Sequence, residues 1–96
     1  MDILIKLEAN EAFIKVQFGV KKIGIFGSFA RGDSGEQSDV DVLVEFEPDR
    51  NTFDNFMDLL FYLEDLFGKK VDLITTGGLH QYIRPFVERE VVWCEA

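Results

Sequence analysis

Apolar positions recur along the chain in two rhythms, one helical and one alternating, and the switches between them mark the elements. Residues from about 2 to 18 carry Ile3, Leu7, Ile14 and Phe18 at helical spacing, with Gly19 as the stop. Asn10 and Glu11 interrupt this stripe. Lys21 to Phe26 reads as a short buried strand with Ile23, Ile25 and Phe26, ending at Gly27-Ser28. A helical turn is expected around Phe29 to Arg31, followed by a polar loop from Gly32 to Ser38. Val40 to Phe46 then alternates with period two: Val40, Val42, Val44 and Phe46 share one face, and Asp39, Asp41, Leu43 and Glu45 the other.

Thr52 to Phe67 carries the clearest helical signal, with Phe53, Phe56, Leu59, Leu60, Leu63, Leu66 and Phe67 on one wide apolar face and Gly68 as the stop. Phe61 falls on the opposite stripe, among Asp54, Asp58 and Asp65. Lys70 to Thr75 reads as a third strand containing Asp72, and Gly77-Gly78 turns the chain. A short helix is expected near Leu79, another turn opening at Pro85, and an edge strand over Val91 to Cys94. Helices and strands alternating in this order give an α/β (α+β) arrangement, with helices packed on a small mixed sheet.

At 96 residues the chain is expected to form a single domain over 1–96. So short a chain buries a smaller fraction of its surface than a long one. Its core therefore depends on large side chains, and the 47% hydrophobic content with ten Phe supplies them. The net charge of −8, from ten Lys and Arg against eighteen Asp and Glu, disfavours tight binding to a nucleic-acid backbone. Divalent cations would cancel several of those charges. Cys94 is alone, which excludes an intramolecular disulfide and fits a reducing cytosol. No basic segment followed by a long apolar run suggests a signal peptide, and no stretch approaches the roughly 20 apolar residues of a membrane span. The expected setting is the cytoplasm.

Candidate chemistry concentrates between Gly27 and Asp41. A glycine at the end of a strand lets the backbone approach a phosphate closely, the N–H groups of the following turn favour an anion, and the Ser28 hydroxyl can donate one more hydrogen bond. Gly-Ser after a strand is also an ordinary turn. The Lys-Ser/Thr ending of a P-loop is absent, and Gly24 and Gly27 have the wrong spacing for a dinucleotide fingerprint. Asp39 and Asp41, two apart on a strand, point the same way with alpha carbons roughly 6.6 Å apart. Two such carboxylates can converge on a pair of magnesium ions held about 3.5–4 Å apart in phosphoryl transfer; they can equally be solvated side chains flanking a strand. Asp72 sits among Val71, Leu73 and Ile74, where a buried unpaired carboxylate would be costly and a metal would relieve the cost. Its alternative is a solvent-facing Asp beside Lys70. Glu45 is a rival third ligand, but it lies about 13 Å along the strand from Asp41, whereas a neighbouring strand can bring Asp72 level with the pair.

Taken together, Gly27-Ser28, ten residues, then Asp39-x-Asp41 resembles the signature of the nucleotidyltransferase superfamily that includes DNA polymerase beta. Gly27 to Gly32 and Ser38 to Val44 are similar to its minimal, stand-alone branch, often called MNT; Val71-Asp72-Leu73 matches the third-carboxylate strand, and the C-terminal helix with Arg84 and Glu90 is similar as well. The resemblance covers nearly the whole chain. It implies the polymerase beta-like fold and a role for each matching residue. Gly27 and Ser28 would bind the triphosphate of ATP. Asp39 and Asp41 would hold two Mg2+ ions, and Asp72 would complete one of them and help deprotonate the acceptor hydroxyl. Arg31 would either face the phosphates or serve as an ion-pair partner of Asp33 or Asp39.

The same resemblance implies an acceptor: minimal members are often antitoxins that add AMP to a tyrosine hydroxyl of a partner HEPN toxin. Transfer to a small molecule is the alternative, set back by a chain too short to build its own acceptor pocket. A non-catalytic partner-binding module is a third reading, and it leaves three acidic ligands without a purpose. His80 and Tyr82 resemble the His-x-Tyr of HEPN ribonucleases only faintly, because no Arg lies four to six residues before His80. Trp93 and Tyr82 are expected to pack rather than stack on a nucleotide. Phe61, an aromatic rimmed by acidic residues, is expected to contact a partner chain, either the acceptor protein or a second copy in a homo-oligomer.

Overall fold

The computed structural model describes residues 2–33, 35 and 38–94. Where a single helix was expected from residue 2 to residue 18 there are two, α1 (Asp2–Ala9) and α2 (Glu11–Phe18). Asn10 makes the break. Its side-chain Nδ2 donates to the Lys6 carbonyl at 2.8 Å and its backbone N–H to Leu7 at 3.1 Å, which closes α1. Its own carbonyl accepts from Ile14 at 2.9 Å, which opens α2. Asn is a poor interior residue because its amide competes for the backbone in this way. The kink still buries Ile3, Leu7, Ile14 and Phe18 together.

The chain continues through β1 (Val20–Phe26), α3 (Ser28–Arg31), β2 (Val40–Phe46), a 3-10 turn at Pro48–Arg50 and α4 (Phe53–Phe67). Then come β3 (Val71–Thr75), a second 3-10 turn at Thr76–Gly78, α5 (Arg84–Glu90) and β4 (Val92–Trp93). Thr52 caps α4, its side chain accepting from Asn55 N–H, and Gly68 ends it in the left-handed conformation. No helix begins at Leu79, whose backbone is extended; its side chain is buried instead, and the helix starts at Arg84 with Pro85 in its first turn.

The sheet runs β3-β2-β1-β4, with β2 parallel to β3 and β1 antiparallel to both β2 and β4. One face carries Ile23, Ile25, Val42 and Val44 and packs against Leu7, Ile14, Leu59 and Leu63 from α1, α2 and α4. The other face holds a smaller cluster of Phe26, Leu43, Leu79 and Val87, built where α5 crosses the sheet. This second layer explains Leu43, expected on a polar face yet 1% exposed. Phe53 departs from its expected place on the apolar face of α4: it starts the helix and is 77% exposed. Phe61 is exposed as the helical phase implies. Among the described residues no helix is long and apolar enough to cross a membrane.

Candidate active site

β1 leads directly into the site. It ends at Phe26, and Gly27 follows with φ 73° and ψ −149°, a combination that side chains other than glycine's rarely permit. The chain then turns through α3. Arg31 N–H donates to the Gly27 carbonyl at 3.0 Å, and Asp33 N–H returns to the Ser28 carbonyl at 3.0 Å. Gly32, left-handed at φ 80°, closes the turn. Within the expected loop from Gly32 to Ser38, residues 34, 36 and 37 lie outside the described residues.

The strands bring the carboxylates level. Val40 N–H donates to the Lys70 carbonyl at 2.9 Å, which sets the parallel register of β2 on β3. In that register Asp41 faces Asp72, while across the other edge of β2 it pairs with Phe26, the residue before Gly27. Gly27 is packed so closely that a β-carbon there would collide with Oδ2 of Asp41. Asp39, two residues before Asp41, lies just ahead of the strand and is exposed. Asp41 is half-buried; Asp72 is exposed. The cost of burying a carboxylate therefore does not mark Asp72: its place opposite Asp41 does. Among the described residues it forms no ion pair with Lys70, or with any other cation.

Charge accumulates at this spot. The Asp41 carboxyl is pushed above its ordinary range, first by burial and then by the neighbouring charges of Asp72 and Asp39. Among the described residues none of the three aspartates has a cationic partner within ion-pair distance. Nor do three such groups close around a point by themselves. A donor set of clustered, unpaired carboxylate oxygens suits a hard divalent cation that keeps open positions for water and phosphate, not a fully enclosed ion. Glu45, the rival ligand, is engaged elsewhere: Lys21 and Lys22 reach its carboxylate at 3.7 and 3.9 Å.

Arg31 takes the partner expected for its structural role, and one more. Its Nε donates to Asp33 Oδ2 at 3.1 Å and its Nη1 to Glu90 Oε1 at 3.0 Å. No spacing rule could have found Glu90 as its partner, since 59 residues separate the two. Cys94 is buried and its thiol is pushed up to about 12, mainly by burial and then by Glu11 and Glu8, so it offers no nucleophile. Trp93 packs as expected, whereas Tyr82, expected to pack as well, is 73% exposed. Trp93 lies against Gly24, where an added β-carbon would meet it at 3.0 Å, and Lys22 sits 4.4 Å from its ring centre. A cleft of about 460 Å3 beside it, lined by Lys22, Leu43, Arg84 and Trp93 among others, includes none of the six predicted site residues.

Comparison with known proteins gives these residues a family. The nucleotidyltransferase domain family model matches residues 2–94. Protein adenylyltransferase MntA of Thermococcus cleftensis is 44% identical over 87 residues, which span 91% of this chain and 87% of that protein. A solved structure assigned as a minimal nucleotidyltransferase superposes with a TM-score of 0.79 at 36% identity, covering 96% of this chain and 95% of the other. A chain from the complex of tri-AMPylated Shewanella oneidensis HEPN toxin with MNT antitoxin shares the fold at a TM-score of 0.68. Its identity is 16%, and the match covers 98% of this chain and 72% of that one. With the Gly27-Ser28 turn, Asp41 and Asp72 on adjoining strands, Asp39 just ahead of the first of them, and a match over residues 2–94, the chain belongs to the nucleotidyltransferase domain family, in its minimal form.

Proposed function

We propose that the chain, acting as a single domain over residues 1–96, transfers AMP from ATP to a tyrosine hydroxyl of a HEPN-type partner protein, and so serves as the antitoxin of a pair. The observation that carries this reading is the placement of Asp72 opposite Asp41 beside the Gly27-Ser28 turn. The relatives support the acceptor class: one is named a protein adenylyltransferase, and one shared fold occurs with an AMPylated HEPN toxin. A cytoplasmic setting goes with it, where ATP and a reducing environment for Cys94 are both at hand.

Each residue has a task in this reading. The Gly27 backbone and the Ser28 hydroxyl bind the triphosphate, with Arg31 adding charge from the end of α3. Asp39, Asp41 and Asp72 are the residues that would hold two magnesium ions, which lower the charge on the phosphates and orient them. Asp72 faces the incoming acceptor and takes the proton of its hydroxyl. The hydroxyl oxygen forms its bond to the α-phosphorus as the bond to the bridging oxygen breaks, and pyrophosphate leaves. Intact-mass measurement of a co-expressed HEPN partner, after incubation with ATP and magnesium, tests the reading. A gain of one or more AMP groups on the partner supports it; an unchanged mass with active protein rejects it.

A further inference from the structure

Arg31 is gripped by two carboxylates, and neither grip is explained by the stability of the fold. The Arg31, Asp33 and Glu90 side chains are 48%, 60% and 37% exposed, and exposed ion pairs contribute little. The two contacts differ in what they fix. Asp33 is two residues away and moves with the same turn. Glu90 is the last residue of α5, and its bond to Nη1 anchors the guanidinium to a separate element on the same side of the sheet as Asp41. A guanidinium has five N–H donors. The two contacts use the Nε donor and one on Nη1, so among the described residues three remain for an anion. Arg31 N–H donates to the carbonyl of Gly27 at 3.0 Å, and Gly27 is packed on Asp41 Oδ2, so the turn that carries Arg31 lies against the carboxylate cluster.

We propose that Glu90 is a positioning residue that holds the Arg31 guanidinium beside Asp41, with its free N–H groups presented to the triphosphate of the bound nucleotide. This rests on the nucleotidyltransferase reading above. α5 thereby does more than cover Phe26 and Leu43: its last residue reaches back to complete the phosphate site. Arg31 acts on the substrate, and Glu90 acts only through Arg31.

A double-mutant cycle on the full chain tests the assignment, with magnesium and ATP as the probe. Two quantities are read for wild type, Glu90→Gln, Arg31→Ala and the double variant: the KM and kcat for nucleotide, and the rise in melting temperature on adding magnesium and ATP. Glu90→Gln keeps an acceptor oxygen but loses its charge, and the weakened grip predicts a KM up to about tenfold higher, with kcat nearly unchanged and a smaller nucleotide-dependent rise in melting temperature. In the Arg31→Ala background Glu90→Gln should add nothing, because the residue it orients is gone. A wild-type KM in Glu90→Gln, or an equal further loss in the Arg31→Ala background, overturns the role of Glu90 and leaves the function intact. A wild-type protein that magnesium and ATP do not stabilise at all overturns the nucleotidyltransferase reading itself, and this inference with it.

Discussion

Gly27 and Asp41 share one small volume: the β-carbon that Gly27 lacks would occupy the position of Asp41 Oδ2. The glycine is therefore required twice, once by its positive φ and once by the carboxylate packed on it. Gly27→Ala should strain the turn by roughly 1–3 kcal/mol and displace Asp41. The expected outcome is a lower melting temperature together with a loss of transfer greater than the fraction unfolded can explain. Wild-type transfer by a folded Gly27→Ala protein would contradict the packing.

Asp41 carries a proton-linkage cost. Its carboxyl is raised above the ordinary value of 3.8, first by burial and then by Asp72 and Asp39. The sign follows from linkage. Below the ordinary value both folded and unfolded chains hold the proton. As pH rises through the raised value, the folded chain must carry a charge that the unfolded chain carries more easily, and stability is lost. Asp41→Asn removes this loss. Its melting temperature should exceed that of wild type at neutral pH, and the gap should close as pH falls toward 3.8. Transfer should be abolished at every pH. A melting curve identical to wild type across the range would contradict the electrostatic account.

Nucleotide and cation should stabilise the fold only together. Free ATP meets Asp39, Asp41 and Asp72 as an anion meeting anions, so ATP with excess chelator should leave the melting temperature unchanged. With magnesium present, a nucleotide at one hundred times its dissociation constant should add about 2.7 kcal/mol. Differential scanning fluorimetry in magnesium and in chelator makes the comparison. Equal stabilisation in both would remove the case for a carboxylate-held cation.

Much of this was legible in the residues, for identifiable physical reasons. The period-two run from Val40 to Phe46 gave its strand to the residue, and Thr52 and Gly68 bounded α4, because caps and alternation are local signals. Asn10 escaped because a side-chain competition for the backbone overrode a good apolar stripe. Leu43 and Leu79 escaped because their burial depends on α5 folding over the second sheet face. At the candidate site, Asp39 and Asp41 were singled out by their spacing from Gly27-Ser28 and the resemblance it carries, since two aspartates two apart are ambiguous alone. Asp72 was expected on two grounds: its exposure does not support the burial argument, while the parallel pairing with Asp41 is the level placement expected of a neighbouring strand. Glu90 left no signal as the partner of Arg31, since a contact across 59 residues is a product of the fold.

Phe61 is 59% exposed, on the face of α4 away from the core. If it anchors an interface with a partner protein or a second copy, Phe61→Ser should leave the melting curve of the isolated chain intact and weaken association by about 2 kcal/mol. Analytical ultracentrifugation, alone and with the proposed HEPN-type partner, reads the effect. Unchanged association would return Phe61 to the ordinary surface, where single exposed apolar residues are common.

The central claim is that the chain moves the nucleotidyl group and not the terminal phosphate. ATP labelled at the α-phosphorus and ATP labelled at the γ-phosphorus separate the two directly when each is incubated with magnesium, this protein and the proposed HEPN-type partner. The account predicts label on the partner from the α-position only, and none with Asp41→Asn. Label from the γ-position, or α-label that persists in Asp41→Asn, would contradict it.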